Sequence, residues 1–168
     1  MGVEEHRKRA AAGAPVRFAI LTTSDTRTLE TDASGRWAKE FLAGQGHVPG
    51  EHALVSNDAA AIRARLEGLL DGPADLVVVT GGTGISRRDV TLAAVLPLFE
   101  RTIPGFGEVF RALSFSEIGA AAILSGAALG VARGKLVACL PGSQAAVQLA
   151  LTRLIAPELM HLVAELRK

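Results

Sequence analysis

The stretch over residues 76–91, LVVVTGGTGISRRDVT, constrains this chain more than any other. It opens on an unbroken apolar run, Leu76 to Val79, the pattern of a strand covered on both faces. A glycine-rich turn, Thr80-Gly81-Gly82-Thr83-Gly84, follows at once. Glycines there let the chain reverse sharply and let backbone N–H groups come close to an anion. Arg87, Arg88 and Asp89 come next, and a helical pattern begins near Thr91. The segment reads either as a tight βα turn with a charged rim or as a phosphate site, because open α/β sheets bind phosphorylated ligands at such turns.

The rest of the chain repeats this alternation. Residues 17–22 (RFAILT) read as a first strand, followed by the polar turn Ser24-Asp25-Thr26-Arg27 and a helix over residues 34–43. Residues 52–55 form a short second strand, and Asn57 or Asp58 offers a side chain suited to capping the next helix. That helix places Ile62, Leu66, Leu69 and Leu70 on one face, and Gly72-Pro73 ends it. After the glycine turn, Leu92, Val95, Leu96 and Phe99 share a helical face, as do Phe106, Val109, Phe110 and Leu113, with Pro104 and Gly105 between the two segments. Residues 121–124 and 135–140 are expected as further strands, the second ended by Pro141-Gly142-Ser143. Val147, Leu151 and Leu154 mark a last helix, and Pro157 either kinks it or starts another. The pattern predicts a three-layer α/β/α domain with a mostly parallel sheet.

With 168 residues the chain suits one domain, which we expect over residues 16–168, preceded by a flexible arm at 1–15. A chain of this size buries roughly 70% of the surface its unfolded form exposes, enough to fold alone. A net charge of +1 argues against nucleic acid or an anionic membrane as partner, so anion binding has to come from a local cluster. The single cysteine, Cys139, lies in the apolar run KLVACL and reads as a core residue. One cysteine forms no intramolecular disulfide, and the N-terminal stretch lacks the apolar segment of a signal peptide. No uninterrupted apolar run approaches the ~18 residues of a membrane helix. A cytoplasmic protein is expected.

Several common sites are excluded. No GxxxxGK[ST] loop occurs, and Gly82-Thr83-Gly84-Ile85-Ser86-Arg87 ends on arginine where a dinucleotide fingerprint needs glycine or alanine. His6, His47, His52 and His161 lack metal-ligand spacing and read as surface polar residues. Ser143 has no nucleophile-elbow context.

Four polar clusters remain, each directly after a strand: Ser24-Asp25, Asn57-Asp58, the Gly81 turn with Asp89, and Pro141-Gly142-Ser143. In a parallel sheet the loops at the carboxyl ends share one edge, where ligands bind. Such an edge suits nucleotidyl transfer, in which Mg²⁺, arginines and N–H groups screen two phosphorylated reactants from each other. Mg²⁺ takes one or two carboxylates plus water and substrate oxygens, and Asp58 and Asp89 are the candidates. Each carboxylate also has a structural reading as a helix cap, Asp89 for the helix that begins near Val90.

TGGTG followed by RRDVT, then PGFGEVFRALSFSEIG, AILSGAALGV and LPGS, resembles the molybdenum cofactor biosynthesis proteins of the MoaB/MogA type. SDTRTLETDASG is similar to that family's first loop, and the likeness runs from about Arg17 to Pro157. The resemblance implies a molybdopterin-binding α/β/α domain that assembles as a trimer, or as a hexamer built from trimers. Active members are adenylyltransferases that use ATP and Mg²⁺ to place AMP on molybdopterin and release pyrophosphate. It also implies catalytic, Mg²⁺-binding roles for Asp58 and Asp89, and ligand-binding backbone over Thr80, Gly81, Gly82, Thr83 and Gly84. Ser24 and Asp25, and Ser125, Pro141, Gly142 and Ser143, match positions around the substrates. GFGEVFRALSFSEIG is closer to the MoaB branch, some of whose members lack the first aspartate and the activity, whereas this chain keeps both aspartates. Where the MogA-like segment reads ILSR, this chain has Gly126. The alternative is a non-catalytic molybdopterin-binding or carrier protein of cofactor assembly.

Overall fold

The computed structural model describes residues 13–168, so the arm expected at 1–15 lies mostly outside the described residues. Six strands form one sheet: β1 (Arg17–Thr23), β2 (Val48–Val55), β3 (Leu76–Thr80), β4 (Arg101–Thr102), β5 (Ala128–Ala132) and β6 (Lys135–Leu140). Their order is β2-β1-β3-β6-β5-β4. β2, β1, β3 and β6 run parallel, β5 runs antiparallel to β6, and β4 antiparallel to β5. Helices α1 (Ala33–Gly44), α4 (Pro104–Ile118), α5 (Gln144–Ala150) and α6 (Ala156–Leu166) cover one face. α2 (Ala59–Asp71) and α3 (Thr91–Val95) cover the other. The expected α/β/α layering is the observed one.

Strand alternation feeds both layers. Phe18, Ile20, Leu76 and Val78 point into the α1–α4–α5–α6 side, and Ala19, Leu21, Val77 and Val79 into the α2–α3 side. All five residues of β3 are buried, as its unbroken apolar run requires. Thr22 pairs with Thr80, Thr80 with Leu140, and Thr23 with Val55. The carboxyl ends of the four parallel strands therefore finish level, and their loops open on one edge.

Three expectations change. Residues 121–124 are not a strand but part of a 3₁₀ segment, Gly119–Leu124, in which Ile123 and Leu124 are exposed. Its alanines favour helical backbone, and its two large apolar side chains face away from the core. The strand lies further on, at β5, joined to β6 by Arg133 and Gly134, both at positive φ as in a tight two-residue hairpin. β2 begins at Val48 rather than at His52.

Pro157 lies in the first turn of α6, one of its two expected places, but α6 follows on from α5 without a break. A π-helical turn, Leu151–Ile155, joins α5 to α6 in one helical segment, Gln144–Leu166. Proline cannot donate to the carbonyl one turn back, and the wider turn before it accommodates that loss. By length and composition this helix would pass for a membrane span. Its Val147, Leu151, Ile155, Leu159 and Val163 stripe is instead buried in the core.

Candidate functional site

The level strand ends form a polar cleft of about 360 Å³. Its walls come from the β1 loop (Ser24, Asp25, Arg27), Asn57 after β2, the β3 loop (Gly81, Gly82, Arg88, Asp89) and Gly142 after β6. A smaller hollow of about 130 Å³, lined by Phe18, Pro49, Leu69 and Pro73, opens beside the start of β1 and gathers no cluster of reactive groups.

Hydrogen bonds lock the loops together. The Gly81 N–H donates to the Leu140 carbonyl at 3.0 Å, tying the β3 loop to β6. Ser24 N–H donates to Val55 O at 2.9 Å, tying the β1 loop to β2. Thr91 anchors the base of the turn, its N–H donating to Gly82 O and its hydroxyl to Gly81 O at 2.8 Å. Gly81 and Gly82 sit at φ of 92° and 63°, and a Cβ on Gly81 would come within 2.4 Å of the Thr23 carbonyl. Only glycine fits both the backbone angle and the space.

Asp25 joins three loops. Its carboxylate accepts the Asn57 N–H at 2.9 Å. That bond and a second from the Asn57 side chain hold its pKa below the usual carboxylate range against desolvation, and the nearby Arg88 charge adds least. Asn57 Oδ1 is buried without a hydrogen-bond partner, an acceptor without its donor at the foot of the glycine turn. Asp89 accepts the Ser86 N–H at 2.9 Å through Oδ2. It closes its own loop rather than capping α3, whose first turn has no side-chain cap.

Beneath the β1 loop lies a group that sequence reading missed. Asp32 is fully buried, caps α1 through the Gly35 N–H at 3.0 Å, and bonds His52 Nε2 at 2.9 Å and the Thr22 hydroxyl. Burial alone would raise its pKa; the bonds from His52, Thr22 and Gly35, with the His52 charge, outweigh that and hold it low. His52 is thus an interior partner, not the surface residue expected. Cys139 is buried, and desolvation pushes its thiol up to about 12, so it is a core residue as expected.

A family model described as a probable molybdopterin binding domain matches residues 19–161. Molybdenum cofactor biosynthesis protein B of Bacillus subtilis is 47% identical over 170 residues, covering 100% of this chain and 99% of that protein. The chain belongs to the molybdenum cofactor biosynthesis protein B (MoaB) family. The corresponding protein of Staphylococcus carnosus is 47% identical over 157 residues, covering 91% of this chain and 92% of that one. A crystal structure of a molybdenum cofactor biosynthesis protein B superposes with a TM-score of 0.88 at 46% identity, over 93% of this chain and 98% of that one. The tungsten cofactor synthesizing protein MoaB from Pyrococcus furiosus gives 0.85 at 35% identity, over 94% of this chain and all of its own.

Against that family frame, the cleft gathers Ser24, Asp25, Thr80, Gly81, Gly82, Asp89 and Gly142 from the residues singled out in the sequence. Asp58, Thr83, Gly84, Ser125, Pro141 and Ser143 lie outside its lining. Asp58 is exposed and caps α2, accepting the Ala61 N–H at 2.8 Å. Its neighbour Asn57 lines the wall instead. Ser143 caps α5, accepting the Ala146 N–H at 3.3 Å. Ser125 ends the 3₁₀ segment, and the next residue has no room for a side chain: a Cβ on Gly126 would stand 2.1 Å from the Thr83 carbonyl oxygen.

Proposed function

We propose that this chain is a molybdopterin adenylyltransferase of molybdenum cofactor synthesis. A terminal phosphate oxygen of molybdopterin attacks the α-phosphorus of ATP, the new P–O bond forms as the α–β anhydride bond breaks, and pyrophosphate leaves. The observation that carries this reading is the convergence of the Gly81-Gly82 turn, Asp25, Arg88 and Asp89 in one polar cleft at the carboxyl edge of a parallel sheet. Two phosphorylated reactants meeting there need positive charge and N–H donors held in place, and Arg27, Arg88 and the interlocked loops supply both.

The cleft's oxygens suit Mg²⁺, a hard ion that takes one or two carboxylates and fills its shell with water and phosphate oxygens. Asp25 and Asp89 face the cleft, and Asn57 lines it with them. Asp58, at the head of α2, is the remaining candidate ligand from the sequence. When bound, the ion would offset the negative charge of the triphosphate. Arg88 would hold phosphate oxygens, Asp89 would fix the loop that carries Arg88, and the glycine turn would present backbone to the ligand.

Incubation with molybdopterin, ATP and Mg²⁺ is expected to yield adenylylated pterin and pyrophosphate in equal amounts; no product at ample protein overturns the proposal. Asp89→Asn is expected to lower turnover by about 100-fold or more while molybdopterin affinity shifts by less than about 3-fold. Asp58→Asn is expected to do the same while keeping the α2 cap, since asparagine caps as well as aspartate.

One observation favours the second reading, a molybdopterin-binding or carrier protein: Asp58 is spent on its helix cap outside the cleft lining. Tight pterin binding with no consumption of ATP would select it. In either case we place the protein in the cytoplasm as a homo-oligomer, trimer or hexamer. The apolar side chains exposed along α4 and the following 3₁₀ segment support the oligomer.

A further inference from the structure

We propose that Arg27 is the arm of the cleft that binds a phosphate monoester, separate from the subsite formed by the glycine turn and Arg88. The proposal rests on the reading above for which monoester this is, molybdopterin's terminal phosphate, but not for the site itself.

Arg27 is poised by a network that stays whole when it moves. Its Nη1 donates to the Gly142 carbonyl at 3.2 Å and lies 3.8 Å from Asp32 Oδ1. The same carbonyl also accepts the Ser34 hydroxyl at 2.9 Å, so it keeps a donor if Arg27 leaves. Asp32 is equally provided for, by Thr22, His52 and Gly35. Arg27 therefore answers to a buried negative charge by attraction alone, and no buried polar group is stranded when it turns. Its side chain is 40% exposed in the cleft wall, and a guanidinium carries five N–H donors in a planar fork suited to phosphate.

The two cleft arginines serve opposite faces of the sheet. Arg27 precedes α1 and meets the loop before α5; Arg88 precedes α3 and acts on Asp25, which holds the loop before α2. Their carboxylates differ as well. Asp25 and Asp89 open to the cleft and offer oxygens to a divalent cation. Asp32, the partner of Arg27, is buried and already bonded. A metal-bearing polyphosphate thus fits the Arg88 side, and a metal-free phosphate monoester fits the Arg27 side.

Calorimetric titration of the full chain tests this with three probes: inorganic phosphate without metal, molybdopterin, and ATP with Mg²⁺. Arg27→Ala is expected to weaken phosphate and molybdopterin by about 10-fold or more and Mg-ATP by less than about 3-fold. Arg88→Ala is expected to show the reverse order, and Arg63→Ala, on the exposed side of α2, to change none of the three. Arg27→Lys, which keeps the charge but not the fork, should recover part of the loss at an unchanged melting temperature. Unchanged phosphate and molybdopterin binding in Arg27→Ala, equal losses for all three probes, or a wild-type chain that binds neither phosphate nor molybdopterin would each overturn the assignment. Because these titrations need no turnover, the two proposals separate. A chain that makes no adenylylated pterin but shows this Arg27 pattern loses the reaction and keeps the subsite; an active chain indifferent to Arg27→Ala loses only the subsite.

Discussion

At Gly81 the backbone takes φ = 92°, and the Thr23 carbonyl stands where a Cβ would go. Gly81→Ala is expected to cost about 1–2 kcal/mol from the left-handed backbone and more from the clash with Thr23, lowering the melting temperature by about 2 °C or more in a chain of this size. Circular dichroism melts check it; an unchanged midpoint would mean the turn relaxes freely. Asp58 makes the contrasting case. Asp58→Ala is expected to lose about 1 kcal/mol of stability with the α2 cap, and Asp58→Asn almost none. Urea titration of the pair separates capping from any effect of charge on turnover. The residues legible in the sequence, Asp25, Asp89 and the glycines, directly follow strands or belong to one turn. Asp32 and His52 were not legible, because His52 lies within β2 and meets Asp32 only through the register that pairs it with Ile20. No local spacing records that contact. The choice of Asn57 over Asp58 for the wall was equally hidden, since the two are adjacent and cap geometry alone decides between them.

Among the elements, α1 depends on one buried carboxylate. Asp32 both caps it and ties it to β1 and β2 through Thr22 and His52. The Asp32 pKa is depressed in the fold, so its contribution is complete above the ordinary value of 3.8 and is lost as pH falls through the lower folded value. Urea midpoints should therefore drop more steeply below about pH 4 in the wild type than in Asp32→Asn, which keeps a capping side chain without the charge. Parallel curves for the two proteins would remove Asp32 as the source. β1, β3 and β6 were legible because each is a compact apolar run, whereas only the second half of β2 was, since its first four residues, Val-Pro-Gly-Glu, are exposed and carry no such run. β5 was not, because Ala-Leu-Gly-Val-Ala is poor in strand formers and buried along most of its length, which erases alternation. The alanine run before it looked equally apolar yet folded as a 3₁₀ segment. Only pairing with β6 distinguishes the two.

Across the whole molecule, two apolar surfaces have opposite fates. The Gln144–Leu166 helix buries its stripe in the protomer's own core. On α4 and the 3₁₀ segment after it, Phe115, Ile118, Ile123 and Leu124 are 52–78% exposed, with Val109 at 48% on the same helix. A cluster of large apolar side chains is costly to leave in water, and a second copy of the chain is the partner that the homo-oligomer reading supplies. Ile118→Glu would place a charge at the centre of such an interface and cost several kcal/mol there, while on an exposed helix surface it is nearly neutral for the protomer. Light scattering should then report a trimer or hexamer for the wild type and a smaller species for Ile118→Glu, with circular dichroism unchanged. A wild-type monomer would overturn the assembly. An assembly indifferent to Ile118→Glu would move the interface elsewhere on the protomer.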